Sequence, residues 1–228
     1  MKDVAARRPG GRGQFVTFEG GEGSGKSTQI TKLADRLKAA RIRTIVTREP
    51  GGSPGAEIMR HLLLSGVGKL LGPEAETLLF AAARDDHVRN VIQPALNQGR
   101  WVLCDRFYDS TRAYQGSLGR VSNDLLSAMQ RVTIGSLAPD VTIILDVPVE
   151  VGLKRALARR GNSAADRFEA ESVQFHEKLR SAYRRIAEAE PARCALIDAD
   201  ADPETVAGRV WDAVRERLRT TQDAAASA

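Results

Sequence analysis

Nine consecutive residues, Gly20-Gly21-Glu22-Gly23-Ser24-Gly25-Lys26-Ser27-Thr28, carry the spacing G-x-x-x-x-G-K-S of a phosphate-binding loop. The glycines let the backbone turn sharply and aim several N–H groups into one concavity. At the positive end of a helix dipole, that concavity suits a polyphosphate. Lys26 is placed to reach the β- and γ-phosphates, and the Ser27 hydroxyl to ligate Mg²⁺, a hard cation that takes oxygen ligands. An apolar run, Phe15-Val16-Thr17-Phe18, precedes the loop, and a helical pattern from Gln29 to Leu37 follows it. The chain is therefore expected to bind a nucleoside triphosphate.

Other chemically able residues cluster where apolar strands end. Strand 2, Arg43–Thr47, runs into Arg48-Glu49-Pro50-Gly51-Gly52-Ser53-Pro54-Gly55. That much Pro and Gly at a strand's carboxyl end makes a shaped loop, the place where α/β sheets hold ligands. Strand 3, Trp101–Cys104, ends in Asp105-Arg106, an acid able to hold Mg²⁺ beside a guanidinium able to clamp phosphate. Strand 4, Val141–Leu145, ends at Asp146, a second candidate for the magnesium acid. Asp105 is preferred for its arginine neighbour.

Helices must position the rest. A short one is expected at 56–66 and a long one at 74–97. On the long helix Phe80 and Arg84 are one turn apart and share a face, suited to a planar base or equally to a core Phe beside a surface Arg. Helical segments follow at 109–116 and 122–135, then 150–160 with Arg155, Arg159 and Arg160. The small residues 161–165 come next, and the stretch 155–170 reads either as a solvated basic helix end or, favoured by the phosphate-binding loop, as a lid that delivers an arginine to the transferring phosphoryl group. A helix at 169–190, strand 5 at 193–197 and a last helix at 203–219 complete the pattern.

The 228 residues fit one α/β domain over 14–219, between a disordered basic arm at 1–13 and a flexible tail at 220–228. Net charge is +5, which suits either nucleic acid or phosphorylated substrates. Cys104 and Cys194 sit in apolar runs without C-x-x-C spacing and read as buried small hydrophobes. No apolar run approaches the roughly 20 residues of a membrane span, and there is no signal-peptide core, so a cytoplasmic protein is expected.

The motifs G-G-E-G-S-G-K-S-T (20–28), T-R-E-P-G-G (47–52), L-L-F-A-A-A-R (78–84), D-R-F-Y-D-S-T-x-A-Y-Q-G (105–116), L-D-V-x-x-E-x-G-L-K-R (145–155) and D-R-F-E (166–169) together resemble bacterial thymidylate kinase. The resemblance covers about residues 14–219 in the expected order. It implies a P-loop fold of three layers, α/β/α, around a five-stranded parallel sheet of order 2-3-1-4-5 with a small lid. It also implies ATP as donor, dTMP as acceptor, Mg²⁺ and a homodimer. The residue matching Phe80 stacks on thymine, Arg84 bonds O4, and Thr111 and Gln115 read the base's other edge. Arg106 holds the acceptor phosphate, Tyr114 packs on the deoxyribose, and Arg48, Glu49 and Arg60 line the monophosphate site. Glu22 approaches the 3′-hydroxyl. Relatives of the human and yeast type place an arginine directly after that acid, where this chain has Gly23. The missing charge is expected from the lid, first from Arg159, then from Arg155 and Arg160. His61, His87 and His176 are expected to be bystanders, because an ionised phosphate acceptor needs no general base.

Three other readings compete. One is another nucleoside monophosphate kinase. A GTP-dependent switch would need an N-K-x-D segment, and the chain has none. A nucleic-acid-stimulated ATPase is suggested by the basic arm, but the monophosphate-site residues argue against it, and nucleic acid is not expected as a partner.

Overall fold

The computed structural model describes residues 11–65, 70–119, 121–160, 168 and 170–226, with side chains up to residue 218. Most of the expected arm, lid residues 161–167 and 169, and residues 227–228 lie outside the described residues.

Five strands, β1 (Phe15–Gly20), β2 (Thr44–Arg48), β3 (Trp101–Asp105), β4 (Val141–Asp146) and β5 (Cys194–Asp198), form one parallel sheet in the expected order 2-3-1-4-5. β1 is buried along its whole length, between β3 and β4. Its residues alternate between two cores, as the two-residue strand period requires. Val16 and Phe18 pack with α1 (Lys26–Ala39) and α9 (Pro203–Ala226), while Phe15 packs on the opposite side with Leu96 and Phe107. β4 repeats the division, with Ile143 and Leu145 on the α1/α9 side and Ile144 against α8 (Val173–Ala189). Strand order reverses at β1, so a crevice opens at the carboxyl ends of β1, β3 and β4.

The remaining helices are α2 (Pro54–Leu64), α3 (Pro73–His87), α4 (Gln93–Asn97), α5 (Tyr108–Thr111), α6 (Asn123–Ile134) and α7 (Val149–Arg160). The expected helix at 74–97 is present but not uniform: a π-helical stretch, Val88–Ile92, joins α3 to α4. Pro94 explains it, because a proline lacks an N–H and its ring crowds the carbonyl four residues earlier. Widening the turn there keeps the helix continuous. A second π stretch, Arg112–Leu118, follows α5 and carries Tyr114 and Gln115. The last helix does not stop at 219 as expected but runs to Ala226. Thr220–Ala226 contains no Gly or Pro to end it, and its alanines favour helix.

The P-loop spans β1 to α1 with Gly23 at φ 63° and Gly25 at φ 94°, a region open to glycine. A Cβ on Gly23 would lie 1.9 Å from the Gly152 carbonyl oxygen of α7. A Cβ on Gly152 would in turn lie 2.5 Å from the Glu22 carbonyl oxygen. Loop and lid helix therefore touch backbone to backbone, and no arginine could follow Glu22 without displacing α7.

Candidate active site

A cleft of about 430 Å³ opens at the switch point. Its floor is the P-loop from Glu22 to Thr28, and its far wall comes from α3, α5 and the loop after β2. Lys26 is nearly buried, and its Nζ donates to the carbonyls of Gly20 at 3.0 Å and Gly21 at 2.9 Å. Burial pushes its pKa down to about 8; Arg106 adds to this, against Glu22, Asp105 and Glu19. Gly20 and Gly21 serve the loop through those carbonyls and do not line the cleft.

Asp105 ends β3 opposite the loop, and its Oδ2 accepts from Ser27 Oγ at 3.2 Å. Its Oδ1 is buried without a hydrogen-bond partner among the described residues. Asp146 is differently occupied: Arg180 grips it at 2.7 and 2.9 Å and Arg184 at 3.1 Å. Ser27 and an under-satisfied Asp105 are an oxygen pair that suits a hard divalent cation. Mg²⁺ commonly takes one or two protein oxygens and completes its shell with phosphate and water.

Arg106 follows Asp105 at φ 69°, a rare conformation for a side-chain-bearing residue, and this turns its guanidinium into the cleft. It donates to Glu22 Oε1 at 2.7 Å, Tyr183 Oη at 3.2 Å and the Gly20 carbonyl at 3.3 Å. Burial opposes ionisation of Glu22, but Arg106, Lys26, Arg159 and His176 outweigh it and hold the carboxyl below its usual range. The acid is thus surrounded by cations. Tyr114 completes the group, its hydroxyl 3.5 Å from Glu22 and its ring edge-on to Phe168.

On the far wall Phe80 is partly exposed in the cleft and Arg84 is buried. Arg84 Nε donates to Glu49 Oε2 at 2.7 Å and Nη2 to Thr111 Oγ1 at 3.1 Å. The core-Phe, surface-Arg alternative does not describe this pair. Arg48, Arg60, Thr111 and Gln115 also line the cleft, and Arg60 donates to the Pro50 carbonyl at 2.6 Å.

From the lid helix, Arg159 reaches the cleft. Arg155, one turn earlier, points elsewhere: it donates to the Ala199 carbonyl at 3.0 Å and pairs with Asp200 at 3.6 Å, in the β5–α9 loop. Arg160 does not line the cleft. Of the three lid arginines, expected in the order Arg159, then Arg155 and Arg160, the first is the one that lines the cleft among the described residues, and the β5–α9 loop takes Arg155.

Two buried groups brace the site through contacts that the sequence did not show. His87 is fully buried; its Nδ1 faces Glu49 Oε1 at 3.1 Å and its Nε2 faces Thr47 Oγ1 at 2.7 Å. It steadies the carboxylate that in turn holds Arg84. Glu19, in β1, accepts from the Phe107 N–H at 2.8 Å, Ser110 Oγ at 2.6 Å and Tyr183 Oη at 3.2 Å. Burial and the nearby Asp109 push its pKa up to about 7. An acid inside an otherwise apolar strand was the available signal, since buried carboxyls need partners.

A triphosphate loop and an aromatic, arginine-bearing wall face each other across one cleft of a 2-3-1-4-5 parallel sheet. This makes the chain a P-loop kinase of nucleoside monophosphates. A sequence model of the thymidylate kinase family matches residues 18–210. The thymidylate kinase of Bradyrhizobium diazoefficiens is 75% identical over 221 residues, 97% of each chain. That of Nitrobacter winogradskyi is 68% identical over 228 residues, 100% of this chain and 99% of the relative. The crystal structure of thymidylate kinase from Ehrlichia chaffeensis superposes with a TM-score of 0.72 at 31% identity, covering 89% of this chain and 99% of that one. The chain belongs to the thymidylate kinase family.

Proposed function

We infer that the chain transfers the γ-phosphoryl group of ATP to dTMP, giving dTDP and ADP, in the cytoplasm. The observation that carries this is the continuity of one cleft from Lys26 and Ser27 to Phe80, Arg84, Thr111 and Gln115. ATP phosphates lie on the P-loop, and thymine stacks on Phe80 with Arg84 donating to its O4. Tyr114 packs on the deoxyribose, Glu22 meets the 3′-hydroxyl, and Arg106, Arg48 and Arg60 hold the acceptor phosphate. Ser27 and Asp105 would hold Mg²⁺, which when bound neutralises charge on the donor phosphates. The protein's work is alignment, water exclusion and charge neutralisation by Lys26, Arg106 and Arg159. Coupled ADP release with dTMP, dUMP, UMP, dCMP and dGMP is expected to show strong preference for dTMP and little turnover without acceptor. Hydrolysis without any acceptor would favour the ATPase reading instead.

The homodimer belongs to the same proposal. Ile58 and Leu62 on α2 and Leu78 on the adjoining α3 expose 68%, 40% and 54% of their surface, an apolar face fit for a second copy. Sedimentation equilibrium should give about twice the 24.7 kDa chain mass. A monomer at micromolar concentration would dismiss it. Among the described residues no helix is long and apolar enough to cross a membrane.

A further inference from the structure

The side-chain amide of Gln115 is held one way round. Its Nε2 donates to Glu76 Oε1 at 3.4 Å, and both residues are about 95% buried, Gln115 at 5% exposure and Glu76 at 5%. A carboxylate accepts hydrogen bonds and donates none. The amide must therefore turn its NH₂ group toward Glu76 and its oxygen away. The direction of "away" is fixed by the surroundings. Glu76 lines a side cavity of about 210 Å³, not the main cleft, while Gln115 stands in the wall between the two. The oxygen is the end of the amide left for the main cleft, which Gln115 also lines.

Glu76, Phe80 and Arg84 follow one another at four-residue spacing along one face of α3. The stripe presents an acid, a stacking ring and a guanidinium in that order. A base on Phe80 meets a donor, Arg84, and an acceptor, the Gln115 oxygen. Thymine matches this pair, since its C4 carbonyl accepts and its N3–H donates. Cytosine inverts both groups: its 4-amine donates and its N3 accepts. A freely turning Gln115 could meet cytosine by presenting its NH₂ group.

We propose that Glu76 is a specificity-determining positioning residue, which fixes the Gln115 amide with its oxygen toward the base and so makes the site select an imide-bearing pyrimidine over cytosine. This rests on the thymidylate reading above. Glu76→Gln keeps size and shape but accepts either face of the Gln115 amide. Its dTMP/dCMP ratio of kcat/KM is expected to fall about tenfold. The dTMP/dUMP ratio stays as in the parent chain, because dUMP presents the same imide. KM for dTMP rises while kcat changes less than about twofold. Glu76→Asp, which keeps a carboxylate, holds the dTMP/dCMP ratio near its original value. In a Gln115→Ala background Glu76→Gln changes neither ratio further. Should Glu76→Gln not fold, Glu76→Ala also frees the amide and carries the same expectation. An unchanged dTMP/dCMP ratio in a folded variant overturns the proposal, as does a parallel loss on all three substrates. A parent chain that does not prefer dTMP to dCMP overturns the thymidylate reading itself, and the proposal with it.

Discussion

With alanine in place of Lys26, kcat is expected to fall by about 10²–10³ while KM for dTMP changes less than about threefold. The lysine waits as a buried, pre-aimed donor: its Nζ already sits on the Gly20 and Gly21 carbonyls, within the loop that receives the donor phosphates. No solvent needs to reorganise for it to act, which is why one such donor counts for so much. Its pKa of about 8, set first by burial and then by Arg106, adds a pH signature. The profile of kcat/KM for ATP reports the free enzyme, so it should bend downward above about pH 8. The kcat profile should bend later, because bound phosphate favours the charged lysine. Initial rates between about pH 6.5 and 9.5 test this. A kcat/KM profile that stays level through that range, or one that bends identically in the alanine variant, would remove the role. The same shift has a stability consequence. From pH 8 to 10.5 the unfolded chain binds the extra proton, so this residue's contribution to stability rises with pH across that window. At neutral pH the fold carries the charged lysine at a cost, and function is the reason it is there.

What the sequence made legible was local. The P-loop declares itself within nine residues, and the strands by short β-branched runs. Phe80 and Arg84 are visible as a pair because a helix places residues four apart on one face. What it hid were partners far along the chain. Nothing near Arg84 says that Glu49, 35 residues earlier, will bury it. Nothing near Arg155 says that Ala199, 44 residues on, will take its guanidinium, so spacing alone could not separate it from Arg159. His87 looked idle because its role runs through Glu49 to Arg84, a relay that exists only once the loop after β2 has folded onto α3. The π turn at Val88–Ile92 is the reverse case: Pro94 was in plain view, but whether it ends a helix or widens it depends on the packing of Ile92 and Leu96 beneath the sheet. Gly23 sits between the two. Its departure from the arginine-bearing branch was legible, and its cause, the Gly152 backbone of α7, was not.

That cause leads to Arg159. If no side chain fits at Gly23, the positive charge near the transferring phosphoryl group must enter from α7, whose close approach excludes it from the loop. Arg159 is the α7 arginine that lines the cleft, and its charge is felt at Glu22. Arg159→Ala is therefore expected to lower kcat by about 10³, equivalent to about 4 kcal/mol of transition-state stabilisation, with KM for both nucleotides within about threefold. Arg159→Lys should recover only part of the loss, since an ammonium keeps the charge but not the planar fork that spans two phosphate oxygens. Arg155→Ala is the control, expected to change kcat less than about tenfold because its guanidinium serves the Ala199–Asp200 turn. Single-turnover rates with saturating ATP, Mg²⁺ and dTMP separate the chemical step from product release. Should Arg155→Ala carry the larger loss and Arg159→Ala keep its single-turnover rate, the lid must close in an arrangement that exchanges the two arginines. Residues four apart share a helix face, so that exchange would need α7 to slide by about 6 Å along its axis, and the Gly23–Gly152 backbone contact opposes it. The same contact that shut the arginine out of the P-loop thus fixes which lid arginine can replace it.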